Sequence, residues 1–167
     1  GCGNAYKNLK KFEEAVQSFK KAIQIEPRYF EAQINLGSVL IKLERFEDAI
    51  KNFDKVIHVN NMASQAFHGK AYSLMKLKKY EEAIYNFNQS IKINPNDANV
   101  FYNLGATYEN LKKWQEAADS FSKAMQINPN HEEAYRDLLN LLEFYLPKQE
   151  SKNFVIKKNN LLKDQNI

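Results

Sequence analysis

The stretch FYNLGATYENLKKWQEAADSFSKAMQINPN, residues 101–130, decides the fold of this chain. Stepping back through the sequence in intervals of 34 residues returns the same residue types. Phe121 is preceded by Phe87, Phe53 and Phe19, and Ala117 by Ala83, Ala49 and Ala15. Leu9, Leu43, Leu77 and Leu111 form a further column, as do Phe12, Phe46, Tyr80 and Trp114. An acidic column runs through Glu14, Asp48, Glu82 and Glu116, and a small one through Gly3, Gly37, Ala71 and Gly105. Ile25, Val59, Ile93 and Ile127 precede a turn column of Pro27, Asn61, Pro95 and Pro129. A fixed period in the range of about 20–50 residues marks one supersecondary unit stacked repeatedly. Such an array offers an interaction surface more readily than an active site.

Within RFEDAIKNFDKVIHV, residues Phe46, Ala49, Ile50, Phe53, Val56 and Ile57 recur at three- and four-residue spacing, one apolar stripe of a helix. A second stripe, Ile34, Leu36, Val39, Leu40 and Leu43, precedes it. The connections LER, LKK and LKK are short, so the two helices of a unit are antiparallel neighbours. The Gly/Ala column permits close approach of the first helix (A) to the second (B) because no side chain intervenes. The Phe column fills the space between units. Helices are expected over 30–42 and 45–58, 64–76 and 79–92, and 98–110 and 113–126. Every glycine falls within helix A, which removes any glycine-rich phosphate loop.

The order Phe101, Leu104–Gly105, Tyr108, Ala117, Phe121, Ala124, Pro129 resembles the tetratricopeptide repeat (TPR). The resemblance spans about residues 1–146. It implies an all-α fold, an α-solenoid (right-handed superhelix) of antiparallel helix pairs. The departures are local: Lys70–Ala71 in place of Leu-Gly, Val56 and Ser90 in place of the second Ala, and Asn61 in place of Pro, which should loosen that turn. Unit 1 is expected over 1–29 with a truncated helix A, unit 2 over 30–63, unit 3 over 64–97 and unit 4 over 98–131. Residues 132–147 read as a capping helix stopped by Pro147, because Leu139 occupies the small column. Residues 148–167 form a polar Lys/Asn-rich tail, helical or disordered; its Phe154, Val155, Leu161 and Leu162 are compatible with an amphipathic helix folding back on the cap. Because the chain opens inside a helix A, it reads as a fragment of a longer array. With helix A of unit 1 reduced to a stub, Phe12, Val16 and Phe19 should be partly uncovered.

Net charge is +4. The tail holds five Lys against Glu150 and Asp164, which leaves the body nearly neutral and argues against nucleic-acid binding. Glu31, Glu109, Glu133 and Asp137 on the inner helices argue the same way. Cys2 is the sole cysteine, so no disulfide forms within the chain. That implies an intracellular, cytoplasmic setting, with cytoskeletal or ciliary locations compatible. No apolar run reaches the roughly 20 residues that span a membrane. His58, His68 and His131 fall on different faces, no Cys/His set has metal-ligand spacing, and no nucleophile–base pair emerges. No metal, cofactor or catalytic residue is expected, and the chain is read as not an enzyme.

In TPR arrays the A helices line the concave groove. The matching residues here are Ile34, Asn35, Ser38, Ile41 and Lys42, then His68, Tyr72, Met75 and Lys76, then Tyr102, Asn103 and Ala106. Apolar groups among hydrogen-bonding amides suit a peptide or a partner helix. The two-carboxylate clamp for chaperone C-termini is not expected, because Gln65 and Gly69 stand where the resemblance requires Lys and Arg. These residues point to a protein-interaction scaffold that helps assemble a larger complex, compatible with ciliary or cytoskeletal, cell-cycle or organelle assembly. The alternative is the substrate-recruiting arm of a larger enzyme, such as an O-GlcNAc-transferase-like glycosyltransferase.

Overall fold

The computed structural model describes residues 2–145, with side chains from residue 10 onward. The described residues form eight helices: α1 (Cys2–Ile25), α2 (Phe30–Lys42), α3 (Phe46–Val59), α4 (Ser64–Lys76), α5 (Tyr80–Ile93), α6 (Ala98–Asn110), α7 (Trp114–Ile127) and α8 (Glu132–Phe144). They fall into two compact units, Gly1–Pro95 and Asn96–Ile167. Within the first, α2 packs on α3, α3 on α4 and α4 on α5; within the second, α6 packs on α7 and α7 on α8.

The Phe and Ala columns are the core. Phe53, Phe87 and Phe121 are 1%, 0% and 0% exposed, and Ala49, Ala83 and Ala117 are wholly buried. Phe53 is wedged between two glycines: a Cβ built on Gly37 of α2, or on Gly69 of α4, would run into its ring. A Cβ on Gly105 would lie 2.6 Å from the Phe121 ring. The glycines are therefore space for aromatic rings. Ser90, in the place of the second Ala, is buried at 0% exposure and donates its hydroxyl to the Ser64 carbonyl at 3.0 Å. Bonding removes the cost of a buried hydroxyl.

The turns between paired helices share one geometry. Glu44, Lys78 and Lys112 sit in the left-handed region at φ 56°, 61° and 58°. The N–H of the next residue reaches back to the helix: Arg45 to Leu40, Lys79 to Leu74 and Lys113 to Tyr108, each at 2.9 Å. This is the Schellman closure, which normally recruits glycine. A side chain there costs about 1–2 kcal/mol, against which glycine loses about 0.5–1 kcal/mol of chain entropy. Lys78→Gly should therefore raise the unfolding free energy by about 0.5–1 kcal/mol. Chemical denaturation checks this; an unchanged or lower stability would mean that the Lys78 side chain makes a compensating contact. Nearby, Arg45 binds Asp48 at 2.6 Å and Glu13 at 3.7 Å. The Arg45 hydrogen bond holds the Asp48 carboxyl below its usual value.

Three expectations are corrected. Unit 1 has no A–B turn: α1 runs unbroken from Cys2 to Ile25 through Lys10 and Lys11. Nor is Val16 uncovered, since it is wholly buried in the cluster with Leu36, Leu40 and Phe53, while Phe12 and Phe19 are half-buried. The turn at Asn61 has the geometry of its proline-bearing counterparts. Asn60 stands at φ −134°, ψ 91° against −131°, 95° at Asn94 and −128°, 96° at Asn128. The Asn60 carboxamide accepts the Met62 N–H at 3.1 Å, which fixes the turn without a proline ring. The expected tail, 148–167, lies outside the described residues.

Candidate functional site

In the first unit, α2 and α4 run side by side and carry nine of the expected groove residues. On α2, Asn35, Ser38 and Lys42 are exposed, while Ile34 and Ile41 are half-buried. Both isoleucines also pack on the Val16–Leu36–Phe53 cluster, so part of each surface belongs to the core. The Ser38 hydroxyl donates to its own helix, to the Ile34 carbonyl at 3.1 Å. On α4, His68, Tyr72 and Met75 are half-buried and Lys76 is exposed. The His68 ring lies 6.0 Å from that of Phe87, a packing role.

The two lysines stand in the last turns of α2 and α4, where the helix dipole favours a cation. Lys42 leans over the Phe12 ring of α1 at 5.5 Å, and Lys76 over Tyr72 on its own helix at 5.5 Å. Such cation–π contacts are weak in water and keep each ammonium wet while fixing its direction. The face thus joins an apolar strip (Ile34, Ile41, Tyr72, Met75) to exposed amide, hydroxyl and ammonium groups.

The second unit differs. Tyr102, Asn103 and Ala106 of α6 are all half-buried. The Tyr102 hydroxyl donates to Asp137 of α8 at 3.1 Å, and its ring lies 4.9 Å from His131 and 5.7 Å from Phe121. Tyr102 is a structural tie between α6 and α8 rather than an open anchor. Asn103 is likewise engaged. His131, 8% exposed, caps α8 by accepting the Ala134 N–H on Nδ1 at 3.3 Å. Arg136 donates Nε–H to the other oxygen of Asp137 at 3.0 Å. Burial, then the charge of Asp137, raises the Glu109 carboxyl above its ordinary value. The pairing of Asp137 with Tyr102 and the capping role of His131 carry no local sequence signal, because the one depends on a contact between helices and the other on a turn.

Burial, then the neighbouring charge and hydrogen bond of Asp137, pushes the Tyr102 phenol up to about 12 from 10.0. Its folded value lies above its unfolded one. Its stabilising contribution is therefore complete below pH 10 and is lost as the pH climbs through 12. Wild-type protein should lose stability over that window more steeply than Tyr102→Phe. Denaturation midpoints at successive alkaline pH values test this, and parallel curves would contradict it.

Among the described residues, no three His, Cys, Asp or Glu side chains converge with metal-binding geometry, and no helix is long and apolar enough to cross a membrane. The fold and its repeated geometry define a helical-repeat protein of the TPR-type α-solenoid class. Family profiles for the TPR repeat match residues 3–44 and 71–112, and tetratricopeptide-repeat profiles match 30–61 and 98–131. The chain belongs to the tetratricopeptide-repeat family.

Among solved structures, a crystal structure of MamA is similar at TM-score 0.77 and 19% identity, over 99% of this chain and 96% of that one. MamA from Desulfovibrio magneticus RS-1, from residue 41 to its end, is similar at 0.74 and 22% identity, over 98% and 97%. YrrB, described as a TPR protein with an unusual peptide-binding site, is similar at 0.68 and 27% identity, over 81% and 70%. No curated protein matches the chain.

Proposed function

We propose that this chain is a non-catalytic interaction scaffold that binds a peptide or helix of a partner protein and so helps assemble a larger complex. One observation carries the proposal: α2 and α4 present Ile34, Ile41, Tyr72 and Met75, all half-buried, beside the exposed Asn35, Ser38, Lys42 and Lys76. An apolar strip that keeps part of its surface in water gains by being covered, at about 25 cal/mol per Å². Carboxamides next to it both donate to and accept from a peptide main chain. The peptide-binding site described for YrrB supports the same use of the fold. The α6/α8 face contributes less, because Tyr102 is committed to Asp137.

The test is selection of peptides on the full chain from a random display library, followed by affinity measurement. A Tyr72→Ala, Met75→Ala variant of unchanged helicity should bind the selected peptides about 30-fold more weakly, the loss expected for truncated anchors worth about 2 kcal/mol. Tyr85→Ala, which alters an exposed tyrosine on α5, should bind as wild type does. Equal binding by wild type and the double variant would reject this face.

A further inference from the structure

The α2/α4 face carries two cations and little to balance them. Among the described residues, the ion pairs of the first unit join Arg45 to Glu13 and Asp48, Lys70 to Asp54, and Lys79 to Glu82. Neither Lys42 nor Lys76 takes part in one. Helix α4 contains no acidic residue, and α2 contains only Glu31. Glu31 precedes Lys42 by eleven residues, about 16 Å along the helix, which is beyond the screening length of about 8–10 Å at moderate salt. Glu44, in the turn after Lys42, is exposed and forms no ion pair with it.

The position of these lysines bears on what the face can receive. Helix α3 runs back between α2 and α4 through short turns, so α2 and α4 are parallel and their last turns lie at one end of the face. There the two ammonium groups border the apolar strip, Lys42 over the Phe12 ring and Lys76 over the Tyr72 ring, each at 5.5 Å. A segment that covers Tyr72 and Met75 also takes water from the ammonium lying over Tyr72. A cation stripped of water without a counter-ion is strongly disfavoured. The helix ends do not attract an anion by themselves, because a helix C-terminus is the negative end of its dipole. Any anion held there is held by the lysines.

We propose that the segment received by this face is acidic: it carries Asp or Glu side chains beside its apolar anchors, and these meet Lys42 and Lys76. This rests on α2 and α4 being the docking face, and adds the charge of what they receive. Lys76 stands seven residues, two helical turns, beyond Gly69, where a terminal-carboxylate clamp would place its Arg. Two ammonium groups on separate helices suit charges spread along a segment. The second unit has no equivalent. The column of Lys42 and Lys76 continues there as Asn110, its neighbour is Glu109, and the last turn of α6 has no basic residue.

The test takes peptides selected on the full chain from a random display library and synthesised with amidated C-termini. Each is paired with a copy in which every Asp and Glu is changed to Asn and Gln. The selected set should be enriched in Asp and Glu. A Lys42→Gln, Lys76→Gln variant of unchanged helicity should bind these peptides about tenfold more weakly, the loss expected for two ion pairs, while Lys42→Arg, Lys76→Arg should keep most of the affinity. The neutral copies should bind wild type about tenfold more weakly and should not distinguish it from the Gln variant, because the partner of the lysines is gone. Raising the ionic strength from about 0.05 to 0.5 M should weaken the wild-type complex and leave that of the Gln variant nearly unchanged. Lys51→Gln, Lys55→Gln removes the same charge from exposed positions on α3 and should bind as wild type does. Selected peptides without acidic residues, or equal binding by wild type and the Lys42→Gln, Lys76→Gln variant, would overturn the proposal. If Tyr72→Ala, Met75→Ala still weakens binding in that case, the face stands and only the charge of its occupant is refuted; if neither pair of changes matters, the face falls as well. An equal loss in Lys51→Gln, Lys55→Gln would also overturn it, assigning the effect to net charge.

Discussion

Replacing Phe53 by alanine should lower the unfolding free energy by about 3–5 kcal/mol, the range for a buried aromatic removed from a site that cannot collapse. The site is rigid for a stated reason. The ring is 1% exposed and wedged between Gly37 on α2 and Gly69 on α4, so its floor and ceiling are helix backbone. Side chains can swing into a void, whereas two helix backbones cannot without breaking their own hydrogen bonds. Phe87→Ala should lose a similar amount, since that ring is also wholly buried. Urea denaturation followed by circular dichroism measures both. A loss under about 1 kcal/mol would place the rings outside the interior.

The glycines on either side of Phe53 give the second large effect, and its sign is diagnostic. In an exposed helix interior Gly→Ala stabilises by about 1 kcal/mol, because alanine has the higher helix propensity. Here the added methyl would overlap the Phe53 ring. Overpacking costs about 1–3 kcal/mol, which exceeds or cancels the propensity gain. Gly37→Ala and Gly69→Ala should therefore destabilise or at best break even. Adding Phe53→Leu to either should cost less than the sum of the two single changes, because the methyl then fills space that the ring has left. Strictly additive losses, or a gain of a full 1 kcal/mol from Gly37→Ala alone, would contradict the packing described.

These contacts show what the sequence discloses and what it withholds. The first helices of units 2–4 were legible to the residue, because apolar periodicity and a short connection bound them on both sides. The second helices begin and end one residue later than their pattern suggests: Phe46–Val59 rather than 45–58, for example. The cause is the left-handed residue of each turn, Glu44, Lys78 or Lys112, followed by one non-helical residue, Arg45, Lys79 or Lys113, before the next helix. A glycine would have announced that conformation; glutamate and lysine do not. The unbroken α1 was hidden because Leu9, Lys10 and Lys11 repeat the LKK that forms a turn in the other units.

At the candidate site, the residue types of the A helices were legible because the repeat assigns them a face. Their engagement was not. Gly69 lies in the column of Asn35 and Asn103, and only the structure shows that its missing side chain leaves room for Phe53. Tyr102 resembles an open aromatic anchor until Asp137, 35 residues away on another helix, accepts its hydroxyl. Pairings of that kind depend on how helices pack, and periodicity alone says nothing about which side chains meet.

The central claim is that the α2/α4 face of the first unit receives a partner segment. It is tested most directly by backbone amide NMR of the full chain, titrated with a peptide selected on it. The account predicts that the largest shift changes fall on α2 and α4, at Asn35, Ser38, Tyr72, Met75 and Lys76. Changes concentrated on α5 around Tyr85, or on residues 148–167, with α2 and α4 unmoved, would contradict it.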